Sequence, residues 1–202
     1  MKLYYSPGAC SLSPHIVARE AGLDLQLEKV DTRTKKTASG GDFLAVNPKG
    51  YVPALEVAPG EVLTEGPAIV QYLADQVPGS GLAPANGTMA RYRLQETLGF
   101  INSEIHKTYS PLFDPATAEE MKSALKEKLK KRYALMDERL ATGPYLFGDG
   151  FTAADAYLFT VTNWAGYVKL DLSSFGHLAA FQKRVAARPA VQAAMKAEGL
   201  LK

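Results

Sequence analysis

The hydrophobic periodicity of the chain changes once, at a cluster of chain-breaking residues. Pro78-Gly79-Ser80-Gly81 is followed closely by Pro84-Ala85-Asn86-Gly87, and clustered Pro and Gly residues are typical of turns and linkers. Before this cluster, short strand-like runs alternate with helical segments, whereas beyond it apolar residues recur only at helical spacing. The sequence therefore predicts a small α/β domain over residues 1–78, a linker over 79–87 and an all-α domain over 88–202.

The first domain reads as strand, helix and strand, followed by a hairpin and a second helix. Its predicted elements are the strand Lys2–Tyr5, the helix Ser11–Ala21, the strand Leu25–Val30, the hairpin strands Val52–Val57 and Glu61–Leu63, and the helix Glu65–Val77. Gly22 is placed as a stop for the first helix, and Pro67 lies in the first turn of the second, where a missing N–H costs little. The segment from Asp31 to Gly41 reads as a polar loop.

The second domain shows three helical stripes. They are formed by Leu94, Leu98, Ile101 and Ile105, by Met121, Leu125, Leu129, Tyr133, Met136 and Leu140, and by Ala154, Leu158, Val161, Ala165 and Val168. Thr152 precedes the third stripe, with Asp155 three residues later. This spacing predicts a capping box, in which Asp155 would serve folding and not chemistry.

Composition excludes several classes of function. Lys and Arg total 23 against 21 Asp and Glu, so the chain lacks the basic surplus that nucleic-acid binding requires, and the basic stretch from Lys122 to Arg132 reads as a solvated helical face. The sequence starts without the apolar region of a signal peptide, and no stretch is long and apolar enough to span a membrane. The single cysteine favours a reducing compartment, so we expect a cytoplasmic protein.

Cys10 is the first candidate for chemistry, because it follows a strand and stands at the entrance to a helix. Unpaired N–H groups and the partial positive charge of a helix start favour a thiolate, which is the reactive form of cysteine. Position alone leaves open the alternative of an inert, buried cysteine. The hydroxyls of Ser11 and Tyr5 could donate to a sulfur instead.

Two further segments of the first domain are ambiguous on their own. A cis bond before Pro53 would leave the backbone of Val52 unpaired and open to a peptide-like ligand, although an ordinary structural turn is the more common outcome. Glu65-Gly66 opens a helix, where a carboxylate commonly stabilises the helix dipole. The same arrangement could bind a zwitterion, with Glu65 on the ammonium and the helix N–H groups on the carboxylate.

The second domain offers His106-Lys107, with Asn102 and Ser103 one turn earlier. This polar group could line a cleft or could be a solvated helical face. His15 and His177 have no partners at metal-ligand spacing, so we assign them no role and predict no metal site. Phosphate-binding loops, dinucleotide fingerprints and Ser/His/Asp arrangements are missing from the sequence.

Taken together, the segments resemble the bacterial beta class of cytosolic glutathione transferases over essentially the whole chain. The motifs that carry the resemblance are Lys2-Leu3-Tyr4-Tyr5-Ser6-Pro7-Gly8-Ala9-Cys10-Ser11-Leu12-Ser13-Pro14-His15, Asn47-Pro48-Lys49-Gly50-Tyr51-Val52-Pro53-Ala54-Leu55, Leu63-Thr64-Glu65-Gly66-Pro67-Ala68-Ile69, Glu104-Ile105-His106-Lys107 and Phe151-Thr152-Ala153-Ala154-Asp155. Each motif is modest, whereas their order and spacing together are highly specific.

The resemblance implies a thioredoxin-like first domain that binds glutathione, a helical second domain that binds a hydrophobic co-substrate, and a homodimer. It implies a detoxifying transferase with glutathione as co-substrate and no permanently bound cofactor. The implied site residues, Cys10 and His106 being the catalytic ones, are Cys10, Lys35, Val52, Pro53, Glu65, Gly66, Ser103, Glu104, His106 and Lys107. Among these, Cys10 would lie beside the glutathione sulfur, Val52 before a cis Pro53 would pair with the cysteinyl unit, and Lys35 would approach the glycyl carboxylate.

The same resemblance places Glu65 and the Gly66 N–H at the γ-glutamyl end and His106 and Lys107 opposite the sulfur, with Ser103 and Glu104 reaching across the dimer. Two positions depart from the family pattern, because many members carry Ser at Gly66 and Asn at Gly99. The departures predict weaker glutathione binding, since a lost hydrogen bond to a charged group is worth about 1.5–3 kcal/mol.

The expected reaction is attack of the glutathione thiolate on an electrophile. Cys10 either polarises the glutathione sulfur during conjugation or itself takes part in thiol–disulfide exchange. The alternatives are a non-catalytic, ligandin-like binder of hydrophobic compounds and a reductive dehalogenase of aromatic compounds.

Overall fold

The computed structural model describes residues 1–201, which form two compact units. The first comprises Met1–Ala83 together with the segment from Ala187 onward, and the second comprises Pro84–Ala186. The change from one unit to the other after Ala83 falls within the predicted linker. Within residues 1–201, none of the helices combines the length and apolar character needed to cross a lipid bilayer.

The first unit is built on a five-stranded mixed sheet. Its strands are β1 (Lys2–Tyr5), β2 (Gln26–Asp31), β3 (Lys36–Thr37), β4 (Ala54–Ala58) and β5 (Glu61–Thr64), in the order β3-β2-β1-β4-β5. β1 and β2 run parallel, whereas the β2–β3, β1–β4 and β4–β5 pairs are antiparallel. The central strand β1 is buried over Leu3–Tyr5, as its apolar run predicts.

Three helices precede the linker: α1 (Leu12–Glu20), α2 (Phe43–Val46) and α3 (Gly66–Asp75). The predicted hairpin and both predicted helices are confirmed to within three residues at their ends. The predicted polar loop is incomplete, because Lys36 and Thr37 within it pair with β2 as strand β3. A two-residue strand is too short to show the alternation by which strands are recognised.

The second unit is helical throughout. Its elements are α4 (Met89–Phe100), a π-helix (Ile101–His106), α5 (Lys107–Phe113), α6 (Glu119–Leu140), α7 (Ala153–Thr162), a 3₁₀ turn (Asn163–Ala165) and α8 (Gly176–Ala186). The π-helix interrupts what the spacing from Leu94 to Ile105 predicts as one continuous helix. A π-helix inserts a wider turn with i→i+5 hydrogen bonds, and such turns occur often at functional sites.

The third predicted stripe underestimates the burial of α7. All ten residues of this helix are buried, so it is the central helix of the unit and has no solvated face. Its N-terminus is capped as predicted. One carboxylate oxygen of Asp155 accepts from the Thr152 N–H at 2.8 Å and the Thr152 hydroxyl at 2.7 Å, and the other accepts from the Leu146 N–H at 2.8 Å. The α6 stripe is buried from Leu129 onward, whereas Met121, near its start, is exposed.

The C-terminal segment differs from the predicted layout, which assigned it to the helical domain. Helix α9 (Pro189–Ala197) packs on α1 in the first unit. His15 and Glu198 are both fully buried there, with Nδ1 2.9 Å from one carboxylate oxygen, and the other oxygen accepts from the Gly8 N–H at 3.0 Å. The sequence does not reveal this arrangement, because a helical period is the same whichever unit the helix packs on.

Candidate functional site

Cys10 lies in the loop between β1 and α1 and is half-buried. Its thiol donates a hydrogen bond to the backbone carbonyl of Val52, with the sulfur 3.2 Å from the oxygen. This hydrogen bond is made by the protonated thiol, since a thiolate has no proton to donate. The Ser11 hydroxyl donates to the Ser6 carbonyl and accepts from the Ser6 N–H, so Ser11 fixes the loop and its proton is not directed at the sulfur.

The segment Asn47–Pro53 forms the centre of the candidate site in the first unit. The Val52–Pro53 bond is cis, which is the alternative that the resemblance favours over an ordinary turn. The segment is held by the buried Asn47, whose amide donates to the Tyr51 carbonyl at 2.8 Å and whose side-chain oxygen accepts from the Lys49 N–H at 3.2 Å. Among the described residues, the Val52 N–H has no hydrogen-bond acceptor.

Lys35, in the turn between β2 and β3, reaches this segment with its side chain. Its ammonium donates to the Gly50 carbonyl at 2.9 Å and lies 5.8 Å from the centre of the exposed Tyr51 ring. The backbone of Lys35 has a φ of 58°, in the left-handed region that side chains with a Cβ rarely adopt. The fold therefore places this ammonium on the Gly50 carbonyl at the cost of local backbone strain.

Glu65 has an unusual backbone as well, with φ 73° and ψ 117°. Its carbonyl accepts from the N–H groups of Ala68 and Ile69 at 3.0 Å each, so its backbone, and not its side chain, caps α3. The carboxylate instead accepts from the Lys49 ammonium at 2.9 Å, and both side chains are more than half exposed. The carboxylate therefore makes no capping hydrogen bond to α3, although it still lies at the helix start, where a negative charge suits the helix dipole.

These contacts bring all the predicted residues of the first unit to one place. Cys10 touches Val52, Lys35 touches Gly50, and Glu65 touches Lys49, so three separate segments converge on Asn47–Pro53. Pro53 follows Val52 within that segment. Gly66 follows Glu65 and supplies the first N–H of α3, which lies before the helix's own hydrogen-bond pattern begins.

The predicted residues of the second unit lie on the π-helix and at its C-terminal end. Nδ1 of His106 is 2.6 Å from the hydroxyl of Tyr157, and that hydroxyl donates to the side-chain oxygen of Asn102 at 2.8 Å. The His106 ring also meets the ring of Trp164 edge-on, with centroids 4.9 Å apart. Trp164 in turn packs against Tyr109 and Phe113, so the imidazole belongs to an aromatic cluster.

The other three residues have different surroundings. The Ser103 hydroxyl donates to the Gly99 carbonyl at 3.0 Å, one turn earlier in the same unit. Glu104 accepts from Nε of Arg132 on α6 at 2.8 Å, and this hydrogen bond holds the pKa of Glu104 below its ordinary value. Lys107 is exposed at the start of α5.

Sequence reasoning missed three residues that contact candidate residues: Asn47 and Lys49 in the first unit and Tyr157 in the second. The first two lie in the quoted motif Asn47-Pro48-Lys49-Gly50, whose turn-forming composition is a signal for an ordered loop. Tyr157 gave no such signal, because it is 51 residues from His106 and reads as part of an apolar helix.

Models of one protein family match both parts of the chain. The N-terminal domain of glutathione S-transferases matches residues 8–76, and the C-terminal domain matches residues 100–189. The glutathione S-transferase GstA of Escherichia coli O157:H7 is 50% identical over 200 residues, which cover 99% of this chain and 100% of that protein. The chain therefore belongs to the glutathione S-transferase family.

Two solved structures indicate which class of the family this chain resembles. A sphingomonad glutathione S-transferase in complex with glutathione is 51% identical with a TM-score of 0.95, and the match covers 100% of both chains. The bacterial beta class glutathione S-transferase of Sphingomonas chungbukensis is 48% identical with a TM-score of 0.95, again over 100% of both chains. The predicted fold and the resemblance to the bacterial beta class are both confirmed.

Proposed function

We propose that this enzyme conjugates glutathione to small hydrophobic electrophiles and that Cys10 adds thiol–disulfide exchange to this activity. The observation that carries the proposal is the contact between the Cys10 sulfur and the Val52 carbonyl, 3.2 Å apart beside a backbone N–H with no acceptor in the described chain. A backbone edge next to a thiol suits a ligand that is itself a peptide with a thiol. Glutathione has this chemistry, and a close relative has been solved with it.

Glutathione would lie along the Asn47–Pro53 segment. Its cysteinyl unit would exchange backbone hydrogen bonds with Val52, as an added strand does at the edge of a sheet. The Val52 carbonyl has two lone pairs, so it can accept from the ligand and from Cys10 at once. Cys10 would then be within reach of the ligand's sulfur, with Pro53 fixing the direction of the edge.

The charged ends of glutathione would be bound by Lys35 and Glu65. The Lys35 ammonium uses one of its three N–H donors on Gly50, which leaves donors for the glycyl carboxylate. Glu65 would bind the γ-glutamyl ammonium, and the Gly66 N–H would donate to the carboxylate beside it. To bind this ammonium, the Glu65 carboxylate would have to bind Lys49 at the same time or release it. Releasing Lys49 costs little, because exposed ion pairs contribute about 0.2–1 kcal/mol.

Cys10 has a different part in each reaction. In conjugation, the glutathione thiolate attacks the electrophile and a leaving group departs with its electron pair, while Cys10 only polarises the sulfur. In exchange, the Cys10 thiolate attacks a glutathione mixed disulfide, so a Cys10–glutathione disulfide forms as the other thiolate leaves. A second glutathione thiolate then attacks the bound glutathione sulfur, which releases glutathione disulfide and regenerates Cys10.

The second unit would supply His106 and Lys107 opposite the glutathione sulfur. In a homodimer, Ser103 and Glu104 would contribute to the site of the partner subunit. Glu104 would keep its hydrogen bond from Arg132 in that role. Ser103 would accept through its oxygen lone pairs while its hydroxyl continues to donate to the Gly99 carbonyl. The dimer, a cytoplasmic location and the lack of a permanently bound cofactor stay predictions.

The test compares wild-type enzyme with Cys10→Ala and with Cys10→Ser in two assays. One follows conjugation of glutathione to 1-chloro-2,4-dinitrobenzene, and the other follows reduction of a mixed disulfide. We expect both variants to keep conjugation within about tenfold and to lose disulfide reduction, because only exchange needs a sulfur nucleophile at residue 10. Retention of both activities would remove Cys10 from the chemistry.

Two outcomes would favour the rival functions. Saturable binding of an apolar dye without any conjugation by the wild type would indicate a ligandin-like binder. Release of halide from a chlorinated aromatic, with formation of glutathione disulfide in place of a conjugate, would indicate a reductive dehalogenase. Absence of glutathione binding by calorimetry at millimolar concentration would contradict the proposal as a whole.

A further inference from the structure

We propose that Tyr157 and Asn102 are positioning residues that hold His106 with its proton on Nδ1, so that Nε2 is the proton-accepting atom of the ring. The tautomer follows from contacts within the second unit alone. Its catalytic consequence rests on the proposed function, in which His106 acts on glutathione.

The hydrogen bonds leave one consistent assignment of protons. Tyr157 has a single hydroxyl proton, and the side-chain oxygen of Asn102, 2.8 Å away, can only accept it. The hydroxyl must therefore act as acceptor toward its other neighbour, Nδ1 of His106, at 2.6 Å. Nδ1 consequently carries a proton, and in the neutral ring Nε2 is the nitrogen with the lone pair.

The network is built on rigid elements. Tyr157 is 1% exposed and lies in the middle of α7, which is buried on every side. Asn102 and His106 both belong to the π-helix, whose wider turn is closed by the bond from the Lys107 N–H to the Asn102 carbonyl. The edge-on ring of Trp164 packs against the imidazole. These contacts restrain the orientation of both partners of the Tyr157 hydroxyl.

This tautomer suits a proton acceptor. When glutathione reaches Nε2, its S–H bond breaks, an N–H bond forms at Nε2 and the electron pair stays on sulfur as the thiolate nucleophile. The resulting imidazolium still donates from Nδ1 to Tyr157, so the network does not rearrange during the transfer. The proton leaves to solvent after the thioether forms and the leaving group departs. The opposite tautomer would present an N–H to the thiol and could not accept its proton.

Long-range ¹H–¹⁵N correlation spectra of the uniformly labelled enzyme test the assignment directly. The chain has only three histidines, and loss of signals in His106→Gln identifies the ring of interest. Spectra are taken at rising pH until the His106 shifts stop changing, and in that neutral ring we expect a pyrrole-type shift for Nδ1 and a pyridine-type shift for Nε2. The reverse pattern in the wild type would overturn the proposal, since it would mean that Tyr157 donates to the ring.

Two variants should move the tautomer in ways that loss of packing would not. Asn102→Ala removes the acceptor of the Tyr157 proton, so the hydroxyl turns to donate to Nδ1 and the ring becomes the Nε2–H tautomer. Tyr157→Phe removes the constraint, so both tautomers become populated. Tyr133→Phe is the matched control, because it deletes another fully buried hydroxyl of this unit, which bonds to Tyr109. Unchanged His106 shifts in both test variants would contradict the proposal.

Kinetics supply the second readout. For Tyr157→Phe we expect kcat/KM for 1-chloro-2,4-dinitrobenzene to fall by about 2- to 12-fold, the effect of one hydrogen bond, while KM for glutathione stays within about twofold. A rise in the glutathione KM without a change in kcat would contradict a positioning role. If the wild type fails to conjugate glutathione, the proposed function fails, and the spectra still decide the tautomer. If Tyr157→Phe does not fold, the wild-type spectrum and Asn102→Ala decide it.

Discussion

The two units hold their candidate residues by different means. In the first unit, the candidate residues are positioned mainly by the backbone, since Lys35 and Glu65 have left-handed φ values and Val52 presents its peptide groups. The ion pair between Glu65 and Lys49 is exposed. In the second unit, side chains buried in a helical core form the network, and the hydroxyl of Tyr157 links two residues of the π-helix.

This difference predicts which kinds of substitution each unit tolerates. Exposed charged side chains contribute little to stability, so in the first unit they are free to be used for a ligand. A buried polar group must keep its hydrogen bonds, so in the second unit a change of side chain costs stability or rearranges the network. We therefore expect first-unit variants to lose binding while remaining folded, and second-unit variants to lose stability.

The largest expected effect comes from the buried carboxylate at the start of α7. Asp155→Ala leaves the N–H groups of Leu146 and Thr152 and the Thr152 hydroxyl without their acceptor. We expect the free energy of unfolding to fall by about 2–4 kcal/mol, the combined cost of a lost cap and unsatisfied buried donors. Urea denaturation followed by circular dichroism measures it. A loss of unfolding free energy below about 0.5 kcal/mol would contradict the expectation that buried polar groups of the second unit are needed for stability.

The same carboxylate should give the stability of the protein a pH dependence. Burial raises the pKa of Asp155 from 3.8 to about 6, so the folded protein binds this proton more tightly than the unfolded chain. The stabilisation by protonation is complete below about pH 3.8 and is lost as the pH rises through about 6. The unfolding free energy of the wild type relative to Asp155→Asn should therefore fall between about pH 4 and pH 6 and be constant above about pH 7.

The next largest effect tests the first unit. Glu65→Gln removes the charge proposed to bind the γ-glutamyl ammonium, so calorimetry should show glutathione affinity weaker by about 10- to 100-fold. Because the carboxylate is 62% exposed and only its backbone caps α3, the urea midpoint should stay that of the wild type. Glu61→Gln, an exposed carboxylate on β5, is the control and should bind normally. A loss of stability together with binding would give Glu65 a structural role.

The contrast between the units also explains which features could be predicted from the sequence. Strands β1, β2, β4 and β5 and helices α1 and α3 follow from alternation and from turn residues such as Pro59-Gly60, which are local signals, whereas β3 and α2 are too short to give one. Cys10, Val52 and Glu65 can be recognised in the same way, because each stands near the start of a strand or helix. The Thr152–Asp155 cap was predictable for the same reason, since its chemistry spans only three residues.

Features that depend on long-range packing could not be predicted. The pairing of Glu65 with Lys49 depends on the path of a loop, and that of His106 with Tyr157 depends on how two helices pack. The π-helix escapes detection because its two buried residues, Ile101 and Ile105, are four residues apart, a spacing that an α-helix would also show.

The smallest expected effect comes from Lys49 and tests whether the exposed Glu65 carboxylate is the ammonium-binding group. Lys49 occupies the carboxylate that is proposed to bind the ammonium of glutathione, with its Nζ 2.9 Å from Glu65 and 3.0 Å from the Thr64 hydroxyl. Lys49→Met keeps the length of the side chain and removes the competing charge. We expect glutathione to bind up to about twofold more tightly, since an exposed pair is worth less than 1 kcal/mol and part of it is regained in water. Calorimetry at two ionic strengths measures this gain, which should shrink as salt screens the Lys49–Glu65 pair in the wild type. Binding weakened by more than about fivefold would show that Lys49 itself holds the ligand, which would make Glu65 the second member of a binding pair instead of the ammonium site.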